Sequence, residues 1–437
     1  MPELIRDLEI TGLVHGGRGI GRFNGKAVFV PLTAPGDRVV CSVVRSKSSY
    51  IEAVLEAVIE PSASRREPPC PYFGSCGGCQ WQHLSYPNQT QWKEKIFFNQ
   101  LLRGKVASEE CLASIVPAPD EWHYRNRVQF KCHMAEDGLA VGFYRPNSHV
   151  VVDIKRCLLL PPPLQRVLDL LREELPYAPC PDCIPQVEVA CGDDSNIRLL
   201  MHLLPKFRRQ LRAWLQDFAK RHQINACMQS GRKDAIEHVY GKADLSVFVD
   251  HPPLALSYGP GGFAQVNSAQ NRNLIAKILA ILDLRGVENV LDLFCGMGNF
   301  SLPIARRAGM VTGIEFHAAS VEAAVKNAVA NNLQNVRFHA ADASTVMNRF
   351  NGDEFDLVVL DPPRSGSSRA SREILKVRPP RVLYISCDPA TLTRDLSLLV
   401  NDGYRVVSSR PFDLFPQTWH IESVTLLERL SDTSCQT

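Results

Sequence analysis

The sequence predicts a multidomain α/β protein: a small N-terminal β-barrel, a central α+β region and a C-terminal Rossmann-like domain. Three observations predict it. Residues 1–60 alternate short β-type runs with turn signals such as "GGRGIG", "FNGK" and "APGD". "EPSASRREPPC" (60–70) then breaks the pattern as a Pro/Ser-rich hinge. From about residue 287, buried-strand runs alternate with helix-length segments, the rhythm of a parallel, doubly wound sheet. The expected divisions are 1–60, 61–255 and 256–437.

The chain has 437 residues, enough for two or three domains with cores of their own. Its 49 Lys and Arg nearly balance 46 Asp and Glu, so nucleic-acid binding must come from local patches rather than a global basic field. No run of about 18 apolar residues is long enough to span a bilayer, and no membrane partner is expected. The start "MPELIRDLEI" lacks the basic and apolar regions of a secretory signal, so a cytoplasmic protein is expected. Nothing calls for more than a monomer.

In the first 50 residues Arg6, Arg18, Arg22, Lys26, Arg38, Arg45 and Lys47 outnumber the acids Glu3, Asp7, Glu9 and Asp37. A small basic barrel is a common platform for single-stranded RNA, although a solvated face reads the same way. In the central region, helices are expected near 87–103 and 163–175. There "WHYRNRVQFK" (122–131) and "FYRPNSH" (143–149) interleave Arg with aromatics, a pattern that can stack unpaired bases and contact phosphate.

In the C-terminal part, "VLDLFCGMGNF" ends a strand at Asp292 in a turn with Gly296 and Gly298. Glycines there let backbone approach a nucleotide-like ligand. Glu315 ends the next strand, placed to accept ribose hydroxyls, and Asp342 ends the third, near where an adenine amino group would lie. Three strand-end acids and no third glycine fit S-adenosylmethionine better than a pyrophosphate-bearing dinucleotide.

"RVLYISCDPA" runs an apolar strand out at Cys387, beside the similarly ended "DLVVLDPPRSG" with Asp361. Open α/β sheets carry their chemistry at that edge, though a lone cysteine more often simply packs. Glu422 enters the last strand and reads equally as a crevice acid or a surface acid. A thiolate and a carboxylate base are what methylation of a pyrimidine C5 requires, because C5 becomes nucleophilic only after addition at C6.

Together "FAQVN" (263–267), "DLFCGMGNF" (292–300), "DPPRSG" (361–366), "SCDPATLTRDL" (386–396) and "HIESV" (420–424) resemble the RNA (uracil-C5)-methyltransferase family over nearly the whole chain. The front barrel is similar to a TRAM domain. The resemblance implies a class I methyltransferase domain, with Cys387 as nucleophile and Glu422 as proton-abstracting base. It implies S-adenosylmethionine contacts at Gln265, Phe294, Asn299, Glu315, Asp342 and Asp361, the last also near the target uracil. Barrel plus cysteines point to the branch acting on 23S rRNA, whose target base must leave its stack. Asp388 departs from the family's usual Asn, which alters a loop hydrogen bond or adds a charge opposing the thiolate.

"CPYFGSCGGCQ" (70–80) sets Cys70, Cys76 and Cys79 in a C-x5-C-x2-C spacing too compact for coincidence. Zinc usually takes two close pairs, and an iron–sulfur cluster needs four thiolates. Cys157 reads by itself as a core residue, but the resemblance makes it the fourth ligand of a [4Fe–4S] cluster. Cys180 and Cys183 in "PCPDC" are expected as an unliganded pair. Cys41, Cys111, Cys132, Cys191, Cys227, Cys295 and Cys435 read as packing or surface thiols. Rival readings are a radical S-adenosylmethionine enzyme, whose spacing is C-x3-C-x2-C, the same chemistry on another rRNA or tRNA uracil, and a non-catalytic RNA-binding protein.

Overall fold

A computed structural model describes residues 3–430 except 137, 206, 232–235, 347–349 and 351–353; Cys435 lies outside the described residues. Strands β1 (Leu4–Leu13), β2 (Gly19–Phe23), β3 (Lys26–Val30), β4 (Arg38–Ser46) and β5 (Tyr50–Glu60) close into a barrel in the order β1-β2-β3-β5-β4. Alternation sends Ile5, Leu8, Ile10, Val28, Val30 and Val39 to its interior. Helix α1 (Tyr86–Arg103) follows the cysteine-bearing loop.

A second sheet has the order β12-β11-β10-β9-β6-β7-β8. Its strands are β6 (Arg127–Ala135), β7 (Gly138–Tyr144), β8 (Val151–Asp153), β9 (Gln186–Cys191), β10 (Ile197–Leu203), β11 (Asn225–Ser230) and β12 (Glu237–Tyr240). Helices α2 (Pro162–Glu174) and α3 (Arg208–His222) bury Leu164, Leu168, Leu171, Leu211, Leu215 and Phe218 in its core. A hairpin of β13 (Leu245–Val249) and β14 (Leu254–Tyr258) leads on.

The C-terminal layer contains α4 (Ser268–Leu282), β15 (Asn289–Leu293), α5 (Ser301–Ala305), β16 (Met310–Glu315), α6 (Ala318–Ala330), β17 (Val336–Ala340), β18 (Leu357–Leu360), α7 (Ser368–Val377), β19 (Arg381–Ser386), α8 (Pro389–Val400), β20 (Tyr404–Phe412) and β21 (Glu422–Arg429). Its sheet order is β17-β16-β15-β18-β19-β21-β20. The expectation of a parallel sheet needs correction here. Strands β15–β19 are parallel, but β21 runs antiparallel to both β19 and β20. The reason is the connection: residues 413–421 join β20 to β21 with no crossover helix, so the chain must return in the opposite direction.

Helix α1 lies outside the expected C-terminal stretch yet packs into its core. Trp81, Leu84, Phe97 and Leu101 are fully buried in one cluster with Leu396, Leu399, Tyr404 and Val406. Burying each such side chain contributes roughly 1.5–3 kcal/mol. Residues 112–116 also bridge to β20, with Ala113 N–H donating to Ser409 O (2.9 Å) and Val116 N–H to Pro411 O (2.9 Å). Among the described residues no helix is long and apolar enough to cross a membrane.

Candidate active site

The carboxyl ends of β15, β16, β18 and β19 meet at one edge of the C-terminal sheet. After β15, Phe294 (φ 65°) and Gly296 (φ 54°) turn the chain, and a Cβ built on Gly296 would meet nothing within 4 Å. The turn therefore borders open space rather than packed side chains. Gln265, Phe294, Asn299 and Asp361 line the pocket formed there, with Phe263, Cys295, Met297 and Phe300. Cys295 is thus both buried and part of the pocket wall. Asn299 exchanges hydrogen bonds with Asn271 of α4 (2.8 and 3.1 Å), which fixes its amide.

Glu315 reaches the turn from β16, accepting from Gly296 N–H (3.2 Å) and His317 N–H (2.8 Å). Asp342 stands further out. It is exposed and accepts from Ser344 N–H (2.9 Å) and Oγ (2.6 Å), bonds that hold its carboxyl below the usual range. Asp292 is fully buried, accepts from Ser301 Oγ, and is pushed up to about 7 by burial. It holds the turn from beneath rather than lining the pocket.

Cys387 follows β19 and precedes α8. Asp388 caps that helix, its Oδ1 accepting from Ala390 N–H (3.0 Å) and Thr391 N–H (2.9 Å), with Pro389 at the first helical position. An Asn oxygen would cap equally well, so the departure leaves the loop hydrogen bond intact and adds a charge. Cys387 is half-buried and its thiol is pushed up to about 12 by burial, then by Glu422, Asp361 and Asp388, while Arg364 pulls it down.

Glu422 is buried, 4% exposed, and opens β21 with Ser423 paired to Ser386 across the ladder. An antiparallel strand begins where its parallel neighbour ends, so the insertion of β21 brings Glu422 to the edge that carries Cys387. This decides the orientation that pattern alone left open. Burial and Asp361 raise the Glu422 carboxyl well above its ordinary range, and Asp361 itself is raised to about 7 by burial and Asp292.

Two contributors escaped the sequence reading. Arg364, inside "DPPRSG", sits 3.3 Å from His420 Nε2 and is the cation facing Cys387. The loop 413–420 before Glu422 is held from outside its own domain. Lys93 Nζ of α1 donates to Asp413 Oδ1 (2.7 Å), both fully buried, and Gln89 Oε1 accepts from Gln417 N–H (2.9 Å). Gln80 and Trp81 N–H, just after the cysteines, donate to Gln417 O (3.0 Å each).

Cys70, Cys76, Cys79 and Cys157 line a cavity of about 540 Å3 together with Arg125, Arg127, Arg156, Arg364 and His420. Burial first, and then the other thiols of the group, raise Cys79 to about 12 and Cys157 to about 11. Among the described residues no group of three or more His, Cys, Asp or Glu side chains is arranged to hold a metal ion. Phe263, 64% exposed, lines this cavity and the pocket beside Gly296 alike. Cys180 and Cys183 form a disulfide with each other, as fits a pair that ligates nothing. Of the Arg–aromatic strand, Phe130 is buried in the core and is not presented for stacking, while Tyr124 is half-buried with its hydroxyl donating to Pro416 O (3.0 Å).

A glycine turn after the first strand, acids on the next and an antiparallel seventh strand define an α/β protein of the methyltransferase type. The solved structure of the Pyrococcus abyssi tRNA (uracil-54, C5)-methyltransferase in complex with S-adenosyl-L-homocysteine shares this fold, with a TM-score of 0.74 at 23% identity over 96% of this chain and 100% of that one. Residues 88–430 match the family described as tRNA (Uracil-5-)-methyltransferase, and residues 5–55 match the TRAM domain. A 23S rRNA (uracil(1939)-C(5))-methyltransferase RlmD of Legionella pneumophila is 35% identical over 96% of each chain. One of Alkalilimnicola ehrlichii is 36% identical over 98% of each. The chain belongs to the RNA uracil-C5-methyltransferase family and carries a TRAM domain at its front.

Proposed function

We propose that this protein methylates C5 of a uracil in 23S rRNA, uracil 1939 in the relatives' numbering, using S-adenosylmethionine. The observation that carries the reading is the register of β19 against β21, Ser386 opposite Ser423, which joins one thiol and one carboxylate at the cofactor edge. A non-catalytic RNA-binding protein has no use for that convergence.

In this reading the Cys387 thiolate adds to C6 of the uracil, moving the C5–C6 π electrons onto C5 and the C4 carbonyl oxygen. S-adenosylmethionine would supply an electrophilic methyl group, which C5 takes up as the sulfonium S–CH3 bond breaks and S-adenosylhomocysteine leaves. Glu422 then accepts the C5 proton, and the C6–S bond breaks to return the thiolate. Its raised carboxyl suits it to hold that proton. Arg364 offsets the acids around the thiol. Gln265, Phe294, Asn299, Glu315, Asp342 and Asp361 are assigned to the cofactor, with the glycine turn giving it room.

The proposed divisions of labour are residues 1–60 for RNA binding, 61–255 for RNA contact and the cysteine group, and 256–437 for transfer. Cys70, Cys76, Cys79 and Cys157 would hold a [4Fe–4S] cluster as a structural staple. Support comes from their donor chemistry: four thiols share one wall, no carboxylate lies among its described lining residues, and arginines there balance an anionic cluster. Anaerobic purification should yield iron and sulfide; zinc in their place would overturn the assignment. For catalysis, the protein is incubated with S-adenosylmethionine and rRNA fragments containing 5-fluorouridine. A covalent adduct on denaturing gels is expected, and its persistence in Cys387→Ala would sink the mechanism.

A further inference from the structure

One turn of the barrel touches the methyltransferase layer beside the nucleophile. Between β1 and β2, residues 14–18 fold back with Gly17 N–H donating to Val14 O (3.0 Å). Gly17 has φ +81°, and a Cβ there would meet Trp419 Cδ1 at 2.8 Å. Trp81 Nε1 donates to Gly17 O (3.0 Å), so the turn is clamped between the cysteine-bearing loop and the loop leading to Glu422.

At this clamp the His15 ring stands edge-on to Trp419, with centroids 4.9 Å apart. Its Nε2 is buried without a hydrogen-bond partner, and Asp388 Oδ2 lies 3.5 Å away. Asp388 needs only Oδ1 to cap α8. The second oxygen, the one that makes this residue differ in charge from Asn, faces His15. Burial disfavours the imidazolium and Asp388 favours it, so His15 is lowered at rest while staying sensitive to that carboxylate. The titratable groups around it are Asp388 and, beyond Trp419, His420; Arg18 on its own turn pairs with Glu52 (3.2 Å).

We propose that His15 is a positioning residue for Cys387: it holds and screens the Asp388 carboxylate, so the docked barrel sets the reactivity of the thiol. This rests on the reading of Cys387 as nucleophile. An unscreened Asp388 raises the cost of the neighbouring thiolate, and His15 Nε2, 3.5 Å from Oδ2, is the polar atom placed to offset that charge. The barrel then contributes to transfer, not to RNA affinity alone.

The test is the pH profile of Cys387 alkylation by iodoacetamide in the full-length protein, read on the Cys387 peptide by mass spectrometry. His15→Ala is expected to slow alkylation at neutral pH by about threefold and shift its midpoint upward, while Asp388→Asn accelerates it. His15→Gln, whose amide can still donate to Asp388, should restore most of the rate. In the Asp388→Asn background, His15→Ala should add nothing. An unmoved profile in His15→Ala, or additive effects in the double variant, would overturn the proposal. Circular dichroism and the retained packing of His15→Gln separate it from misfolding. Adducts with 5-fluorouridine RNA are measured in parallel. A wild type that forms no adduct yet shows the shifted profiles keeps the His15–Asp388 link and loses only the nucleophile reading.

Discussion

The pocket beside Gly296 and the thiol-lined cavity share Phe263 as a wall but are built in opposite ways. Most of the pocket comes from one turn, residues 294–300, set at a strand end. The cavity gathers residues from 70–82, 125–129, 143–159, 263–266, 364 and 415–420. A site made by one turn needs little beyond that turn's backbone. A site made by six segments depends on every interface between them. The pocket should therefore tolerate damage elsewhere, and the cavity should not.

The largest expected effect lies at the sheet edge that brings Cys387 and Glu422 together. Cys387→Ala should lower methyl transfer by about 10^4-fold or more while S-adenosylmethionine still binds, as isothermal titration would show. Glu422→Gln should lose about 10^2- to 10^4-fold in turnover yet build up the RNA adduct, because only proton removal fails. A Glu422→Gln enzyme that accumulates no adduct would place the base elsewhere.

Next comes the strut beneath the cavity. Lys93→Met leaves Asp413 buried and uncompensated, at a cost of about 3–5 kcal/mol in urea unfolding. Little change in the midpoint would mean that α1 is not what holds loop 413–420. Cys79→Ser sharpens the comparison more directly. On the proposed cluster assignment it should lose iron and weaken RNA binding, with cofactor affinity held within about twofold. Cofactor affinity that falls along with iron content would break the separation drawn above.

A pH series gives a smaller effect. The Cys387 thiol is pushed up to about 12, so its thiolate fraction and the rate of adduct formation should climb as pH rises from 7 to 9. Arg364→Gln removes the cation that lowers this thiol, so its limb should move to higher pH. The smallest expected effect is Asp342→Asn, about a few-fold in cofactor affinity, because that carboxylate is exposed and already bonded to Ser344.

Cys387 and Asp361 were legible because each ends an apolar strand, and strand ends in such sheets share an edge. The glycine turn was legible because its residues are contiguous. Arg364 was in plain view within its motif, but nothing in a sequence tells which way an exposed arginine turns. The Lys93–Asp413 pair spans 320 positions and leaves no local trace. Phe130 read as a base-stacking aromatic, and the packing turned it inward instead.

What the sequence determined by itself is local: barrel strands, the order of βα units, the turn at Gly296 and the ends of β18 and β19. Each follows from periodicity and turn chemistry within a few residues. Only the tertiary structure decided that β21 inserts antiparallel beside β19, which turned Glu422 from an ambiguous strand-entry acid into the neighbour of Cys387. It also decided that the barrel turn rests on Trp419 with His15 facing Asp388. Both depend on contacts between segments far apart in sequence. Such contacts form when large apolar surfaces close on one another, and no short stretch of residues encodes where those surfaces meet.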